Sequence, residues 1–230
     1  MNRFLTTDEA LRLLHICNDC EIPFQYDREK HRLLIPYESQ GGQEEVKFRL
    51  PIHVPEPESP DEFEEEGINY VLVLIQSGSA AVGYFEHDLN LDHKVFKSYM
   101  VRKKQGKSQV KYLKSKGKSR AGSRVRLANT VNFFENINER LQQYFDDYNV
   151  HRIAVSCSKT LIPFVFNSKV ECPFTKKDER ILKIPKHLPA PNYEVLLEAH
   201  RFLMKGELIF DEPAQAFVER LLQKAGAGSD

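Results

Sequence analysis

The clearest fold signal in this chain is the stretch Asn69-Tyr-Val-Leu-Val-Leu-Ile-Gln-Ser-Gly-Ser-Ala-Ala-Val-Gly-Tyr-Phe-Glu86. Asn69 to Gln76 is a short, nearly continuous apolar run that is typical of a buried strand, and Ala80 to Glu86 gives a second strand signal. Ser77-Gly78-Ser79 between them predicts a tight turn. A third, alternating run extends from His93 to Val101. We therefore predict a sheet that begins as a three-stranded meander.

Downstream of these strands, helical and strand patterns alternate. A long helix, which Ser123 can cap, is predicted from apolar residues at steps of three or four: Leu127, Val131, Phe134, Ile137, Leu141, Phe145 and Tyr148. The pattern then predicts a buried strand at 150–157, a short helix at 160–166, a helix at 191–204, a strand at 207–210 and a helix at 214–224. The fold class is mixed α/β (α+β), a sheet flanked by helices.

The part of the chain before Asn69 has a different composition. Thr6 or Thr7 can cap a first helix, and strand-like runs in residues 22–54 surround a hairpin signal at Gly41-Gly42. Residues 55–66 hold seven acidic residues and three prolines, which is typical of an exposed linker. We predict a small N-terminal α+β extension (1–54), an acidic Pro-rich linker (55–67) and a main domain (68–225).

Composition argues against a membrane protein and against a complete zinc site. No apolar run reaches the length of a membrane span, and the N-terminus lacks a signal-peptide pattern, so we expect a cytoplasmic protein without membrane contact. We also expect a monomer. Cys17 and Cys20 form a CxxC pair, half of a zinc site, and the nearest completing candidates are His15, His31 and His53. Two thiols packed at the end of the first helix explain the pair better. We predict no metal and no cofactor.

The charge distribution is the strongest functional signal. The whole chain is neutral, with 33 basic and 33 acidic residues, yet His93 to Phe134 contains thirteen Lys or Arg and no Asp or Glu. We call these 42 residues the acid-free stretch. Phosphate backbones attract such concentrated positive charge by releasing counterions, independently of base sequence. The stretch therefore indicates a nucleic-acid partner.

Familiar catalytic motifs do not explain this stretch. Gly106-Lys107-Ser108 resembles the end of a phosphate-binding loop, but Val101 stands where that motif requires its first glycine. A metal-dependent nuclease on a ribonuclease-H-like sheet is disfavoured because the stretch lacks carboxylates, and Asp88 and Asp92 before it are interpreted as turn residues. Gln109 is a neutral amide that can position a water or stabilise developing charge, but composition alone makes it an ordinary surface glutamine.

A resemblance singles Gln109 out. Lys94-Val-Phe-Lys-Ser-Tyr-Met-Val-Arg-Lys-Lys-Gln-Gly-Lys-Ser-Gln109, followed by Ser119-Arg-Ala-Gly-Ser-Arg-Val-Arg-Leu127, resembles the Vms/ANKZF-type release factors. These are peptidyl-tRNA hydrolases of ribosome-associated quality control, similar to the catalytic domain of archaeal and eukaryotic class-one release factors. The matching positions, within a resemblance over roughly residues 68 to 212, are Tyr99, Arg102, Lys104, Gly106, Gln109, Arg120, Ala121, Gly122 and Ser123.

The resemblance implies a ribonuclease-H-like, release-factor-like catalytic domain that binds the large ribosomal subunit (rRNA) and P-site peptidyl-tRNA. It implies that Gln109 is catalytic, either placing a water on the ester that joins peptide to tRNA or promoting cleavage of the acceptor (CCA) end. The residues expected to contact RNA are Arg102, Lys103, Lys104, Gly106, Lys107, Ser108, Lys111, Lys114, Lys116, Lys118, Arg120, Arg124 and Arg126. Arg124 and Arg126 are expected in the first turn of the long helix, where free N–H groups favour an anion.

The chain also departs from the family pattern. Lys107 stands where a second glycine often follows Gly106, and the family's ankyrin repeats, coiled coil and segregase-binding tail have no counterpart. The pattern indicates a minimal, prokaryotic type of member. The alternative function is a non-catalytic RNA- or ribosome-binding module that keeps the basic loop without turnover.

Overall fold

A computed structural model of the 230-residue chain describes residues 1–19, 22–39, 42–57, 67–86, 88–98 and 118–226, with the backbone alone for 118–127. The elements are β1 (Asn2–Leu5), α1 (Thr7–Asp19), β2 (Gln25–Asp27), β3 (Arg32–Ser39), β4 (Gly42–Arg49), β5 (Tyr70–Gln76), β6 (Ser79–Glu86), β7 (Leu89–Lys97), α2 (Lys118–Asp147), β8 (Arg152–Cys157), α3 (Ile162–Phe166), β9 (Ile181–Lys183), α4 (Tyr193–Leu203), β10 (Gly206–Ile209) and α5 (Gln215–Lys224). The predicted mixed α/β class is confirmed. Two compact units divide the chain: unit 1 is Met1–Asn69, Leu182–Lys186 and Glu198–Asp230, and unit 2 is Tyr70–Ile181 and His187–Leu197.

Unit 2 contains the predicted meander. Its sheet has the order β7-β6-β5-β8-β9, in which β5, β6 and β7 pair antiparallel and β8 pairs parallel to β5. Tyr70 to Ile75 are all buried, as expected for a central strand covered on both faces. The parallel pair β5–β8 requires a crossover, which α2 supplies. The prediction of a meander followed by alternation with helices is confirmed.

The helix α2 packs part of its predicted apolar face on this unit, although Val131 is 39% exposed and the side chain of Leu127 lies outside the described residues. The helix also begins earlier than predicted. Phe134, Ile137 and Leu141 are at most 1% exposed, and each such burial is worth about 1.5–3 kcal/mol. The helix starts at Lys118 rather than at Ser123, because residues 118–121 include Lys, Arg and Ala, which favour helix enough to extend it across Gly122. Arg124 and Arg126 therefore lie beyond the first turn, and their expected position there is wrong.

The third strand of the meander is also shifted relative to the prediction. β7 starts at Leu89, directly after a turn at Asp88, and ends at Lys97. Its register with β6 includes a bulge at Tyr84/Phe85. Asp92 was predicted to be a turn residue; it lies inside β7, where its carboxylate forms an ion pair with Arg140 of α2. The acid before the acid-free stretch thus has a structural partner.

Unit 1 is built on an antiparallel sheet of order β1-β10-β4-β3-β2. The β3–β4 hairpin was predicted from Gly41-Gly42. The predicted cap of α1 is a capping box, because Glu9 N donates to Thr6 Oγ1 at 3.3 Å and Thr6 N donates to Glu9 Oε2 at 2.7 Å. Apolar residues of α1, β3, β4 and α5 form the core of this unit.

The two units divide the chain differently from the predicted domains. The prediction placed residues 206–225 in the main domain, but β10 pairs with β1 and β4, and α5 packs in the core of unit 1. The cause includes a buried cross-strand pair: Glu207 lies opposite Arg49 and accepts from Arg49 Nε at 3.2 Å. Residues 58–66 of the predicted linker lie outside the described residues.

One of the two CxxC cysteines is described, and it is buried. Cys17 is 0% exposed in the core of unit 1, whereas Cys20 lies outside the described residues. Across residues 1–19, 22–39, 42–57, 67–86, 88–98 and 118–226, no group of three His, Cys, Asp or Glu is placed to hold a metal ion. In the same ranges, no helix combines the length and the apolar character needed to cross a bilayer.

Candidate nucleic-acid interface

The acid-free stretch leaves unit 2 at one edge of its sheet. β5 and β7 both run antiparallel to β6, and β8 runs parallel to β5, so these three strands end at the same edge. The register places Ser79 opposite both Gln76 and Lys97, and Ile75 opposite Cys157. Loops at the carboxyl ends of strands are where such sheets commonly carry their functional residues. We call this the carboxyl edge.

The exit of the chain from β7 is fixed by the turn between β5 and β6. Ser98, which follows β7, donates its backbone N–H to the carbonyl oxygen of Gly78 at 2.9 Å. Gly78 has φ +79°, and a Cβ at this position would lie 2.6 Å from the carbonyl oxygen of Ser98. Only glycine permits both the left-handed turn and this close approach. The predicted Ser77-Gly78-Ser79 turn, which joins β5 to β6, thus also positions the end of β7.

The same residue is tied to the helix to which the chain returns. The Ser98 hydroxyl donates to the backbone carbonyl oxygen of Asn129 at 3.1 Å. Asn129 lies eleven residues after the helix start at Lys118, so at 1.5 Å per residue the first turns of α2 extend roughly 16 Å beyond this contact. The segment between Ser98 and Lys118, which we call the basic segment, therefore starts at the sheet edge and ends where α2 begins.

The structure describes part of the set of predicted site residues. The predicted catalytic residue Gln109 lies outside the described residues, as do Arg102, Lys103, Lys104, Gly106, Lys107, Ser108, Lys111, Lys114 and Lys116. Lys118, Arg120, Arg124 and Arg126 lie on the described backbone of α2. The start of the basic segment, Ser98, contacts α2 at Asn129, whereas the helix begins eleven residues earlier at Lys118, and the roles assigned to the side chains of the segment stay predictions.

Other reactive groups near the carboxyl edge have a protonation state that limits their chemistry. Cys157 ends β8, and burial raises the pKa of its thiol to about 11. At neutral pH the group is therefore a thiol rather than the thiolate that acts as a nucleophile. Asp92 lies toward the other end of β7, opposite Tyr84, and forms an ion pair with Arg140. Among the described residues, these side chains give no alternative nucleophile or acid-base pair that would replace Gln109 as the candidate.

Sequence reasoning did not find the residues that anchor the basic segment. The turn at Gly78 was visible in the sequence, but its contact with Ser98 depends on the register of three strands. Asn129 takes part through its backbone carbonyl oxygen, which no residue type can signal. Such contacts arise from tertiary structure and have no local pattern.

A family model matches the part of the chain that contains the basic segment and the strands that support it. Residues 70–209, from the first residue of β5 to the last of β10, match the family model of the Bacteroidetes VLRF1 release factor, bVLRF1. This chain belongs to the bVLRF1 release-factor family. The family predicted from the Tyr99-to-Ser123 motif is thereby confirmed, and the bVLRF1 match includes the whole acid-free stretch. A release-factor role associated with the ribosome follows at the level of the family.

A similarity to a solved structure is also found. The Vms1 mitochondrial localization core is similar to the bVLRF1 chain at 13% identity and a TM-score of 0.45, over 92% of this chain and 86% of that one. No curated protein matches the chain.

Proposed function

We propose that this bVLRF1 protein frees nascent chains from peptidyl-tRNA on stalled large ribosomal subunits, with Gln109 at the reacting ester or phosphodiester. The observation that carries the proposal is the acid-free basic segment inside the family match. Its ends are Ser98, which is held at the carboxyl edge, and Lys118, the first residue of α2. A segment that joins these two points is suited to reach an RNA site that lies beyond unit 2.

The chemistry assigned to Gln109 follows from its amide. A glutamine side chain donates and accepts hydrogen bonds without exchanging a proton at neutral pH, so it orients a water or a ribose hydroxyl and stabilises developing charge. Removing one such positioned group typically lowers a rate by 100- to 1,000-fold. Two products are compatible with this role: intact tRNA from ester hydrolysis, or tRNA shortened at its CCA end. We propose that the reaction takes place in the cytoplasm and that the protein acts as a monomer.

The experiment uses stalled large-subunit complexes that carry peptidyl-tRNA labelled on the peptide and on the tRNA. Release of peptide by the wild-type protein and by Gln109→Ala is followed over time. The length of the released tRNA separates ester hydrolysis from acceptor-end cleavage. Equal release by the two proteins would overturn the assignment of Gln109. No release by either protein would favour the alternative function, a non-catalytic ribosome-binding module. The observation that supports this alternative is Lys107, which stands in the place of a family glycine.

The RNA contacts are tested separately by charge reversal. The double variant Lys103→Glu, Lys104→Glu is expected to weaken binding to large subunits and to reduce the steepness of its salt dependence by about two, since each lost phosphate contact removes nearly one released counterion. Lys205→Glu, Lys224→Glu is the matched control, because it changes the net charge equally at exposed positions outside the acid-free stretch. Equal binding losses in the two double variants would contradict the assigned contacts.

A further inference from the structure

An apolar groove lies beside the exit of the basic segment, within unit 2. It has a cavity volume of about 370 Å³ and lies between α2, with Val131 and Phe134, and the segment from α3 to Lys169. This volume falls within the range of sites that bind small molecules. Val131 follows Asn129 by two residues, so the groove begins within one helical turn of the contact with Ser98.

The wall of the groove presents an exposed aromatic ring. Phe164 of α3 is 47% exposed, and its ring stacks on Phe134 with centroids 5.5 Å apart and planes inclined by 15°. Phe134 is in turn buried and held edge-on by Phe133. The exposed ring is thus fixed in orientation by a buried one. Exposed aromatic rings held in this way are the platforms on which unpaired nucleobases stack.

The polar groups of the groove match a nucleotide. Ser168 lines it, and its hydroxyl oxygen is buried without a hydrogen-bond partner among the described residues. Lys169 adds a cation, and no acidic residue occurs among the described residues of the lining. Val131 and Phe134 are themselves the last part of the acid-free stretch. An unpaired hydroxyl, a cation and a flat apolar face complement a base and its phosphate.

The position of the wall is set by a buried side chain. Asn138 is 0% exposed, and its Nδ2 donates to the carbonyl oxygens of Val165 and Val170, each at 2.8 Å. These two bonds span the backbone that carries Asn167, Ser168 and Lys169. The groove is therefore a built feature of the unit, held from both ends of its polar wall.

We infer that this groove captures one unpaired nucleobase of the RNA to which the basic segment binds, with Phe164 as the stacking platform. The inference rests on the proposed RNA contact and adds a second point of attachment to it. Phe164 supplies the stack, Lys169 the phosphate contact, and the Ser168 hydroxyl a hydrogen bond to the base or its ribose. Because every base has an apolar face, the capture is tolerant of base identity.

The chain offers a direct reporter because it contains no tryptophan. In the full-length Phe164→Trp variant, the introduced ring stacks with the captured base, so a single-stranded RNA oligonucleotide is expected to quench its fluorescence. The same oligonucleotide with abasic positions is expected to leave the fluorescence unchanged. Phe4→Trp is the matched control, since Phe4 is 50% exposed in unit 1, and it is expected to respond to neither RNA.

Affinity gives a second readout that does not depend on the reporter. Phe164→Ala is expected to weaken binding of the base-containing oligonucleotide about tenfold, and Phe164→Tyr to keep it. Neither is expected to change the affinity for the abasic oligonucleotide. Equal losses of affinity for both oligonucleotides would overturn the inference. Failure of RNA to quench the fluorescence of F164W would also overturn it, whether or not the RNA binds elsewhere on the protein. Quenching of F164W by a leucine-rich peptide and not by RNA would assign the groove to a protein ligand and also overturn it.

Failure of this inference can be separated from failure of the proposed function. Gln109→Ala is expected to keep the F164W response to RNA while losing peptide release. Release that depends on Gln109 without any F164W response would leave the proposed function standing and remove the nucleobase site.

Discussion

The backbone N–H of Ser98 donates to the carbonyl oxygen of Gly78 at 2.9 Å, and the Ser98 hydroxyl donates to the carbonyl oxygen of Asn129 at 3.1 Å. One residue thus joins the β5–β6 turn, the end of β7 and the helix α2. It is also the last described residue before the basic segment. The position of the start of that segment is consequently set by the packed core of unit 2.

Gly78→Ala should destabilise the protein by about 3 kcal/mol. The new Cβ would meet the Ser98 carbonyl oxygen at 2.6 Å in a left-handed turn, so a strained backbone and a displaced strand end add together. Gly226→Ala is the control, because Gly226 has φ +65° but no neighbour within 4 Å, and it should cost about 1 kcal/mol. Urea unfolding measures both losses. Similar losses in the two variants would contradict the close approach at Ser98.

Asn138→Ala should cost about 2–4 kcal/mol, because it removes the donor of two buried hydrogen bonds and leaves the carbonyl oxygens of Val165 and Val170 unpaired. Asn136→Ala, at an exposed position of the same helix, should change the free energy of unfolding by less than about 0.5 kcal/mol. Thermal or urea unfolding distinguishes them. A difference near zero between the two variants would show that Asn138 does not hold the groove wall.

Much of the architecture of unit 2 was predictable because its signals are local. The continuous apolar run Tyr70 to Ile75 and the spacing of Phe134, Ile137 and Leu141 each report burial through their own period. α2 starts earlier than predicted because helix-favouring residues precede Ser123, which by type is a good capping residue. Local pattern thus defined the elements better than their ends.

The parts that escaped prediction depend on contacts between distant residues. The pairing of β10 with β4 brings Glu207 to Arg49 across 158 positions, and no local pattern announces it. Phe164 lies in a short apolar helix, so its exposure could not be separated from burial by sequence. Gln109, by contrast, was singled out by family resemblance alone, since a glutamine in a basic segment has no distinctive physical pattern.

The pair Arg49–Glu207 should behave as a unit in a double-mutant cycle. Their side chains are 3% and 7% exposed, and the loss of one partner leaves an uncompensated buried charge. Arg49→Met and Glu207→Met should therefore each cost roughly 3–5 kcal/mol, and the double variant should cost much less than their sum. Unfolding free energies in urea give the coupling. Strictly additive losses would contradict a direct buried interaction.

Cys157 and Cys172 should react slowly with iodoacetamide at pH 8 in the folded protein. Burial raises the pKa of each thiol from 9.0 to about 11, which lowers the thiolate fraction about a hundredfold relative to the unfolded chain. Because the folded pKa exceeds the unfolded value, the stabilisation from these neutral thiols is complete below pH 9 and is lost as the pH rises toward 11. Mass spectrometry of the modified peptides measures each rate. Equal rates in the folded and the urea-unfolded protein would contradict these pKa shifts.

We propose that Gln109 acts at the reacting bond while the surrounding basic residues bind RNA. The most direct measurement is the single-turnover rate of peptide release from stalled large subunits at saturating protein, for the wild type, Gln109→Ala and Gln105→Ala. Gln105 is the matched control, a second glutamine four residues earlier in the same basic segment. We predict that Gln109→Ala lowers the rate at least about 100-fold without weakening binding, and that Gln105→Ala releases peptide at the wild-type rate. Unchanged release by Gln109→Ala, or equal losses of rate in both variants, would show that Gln109 does not act at the reacting bond.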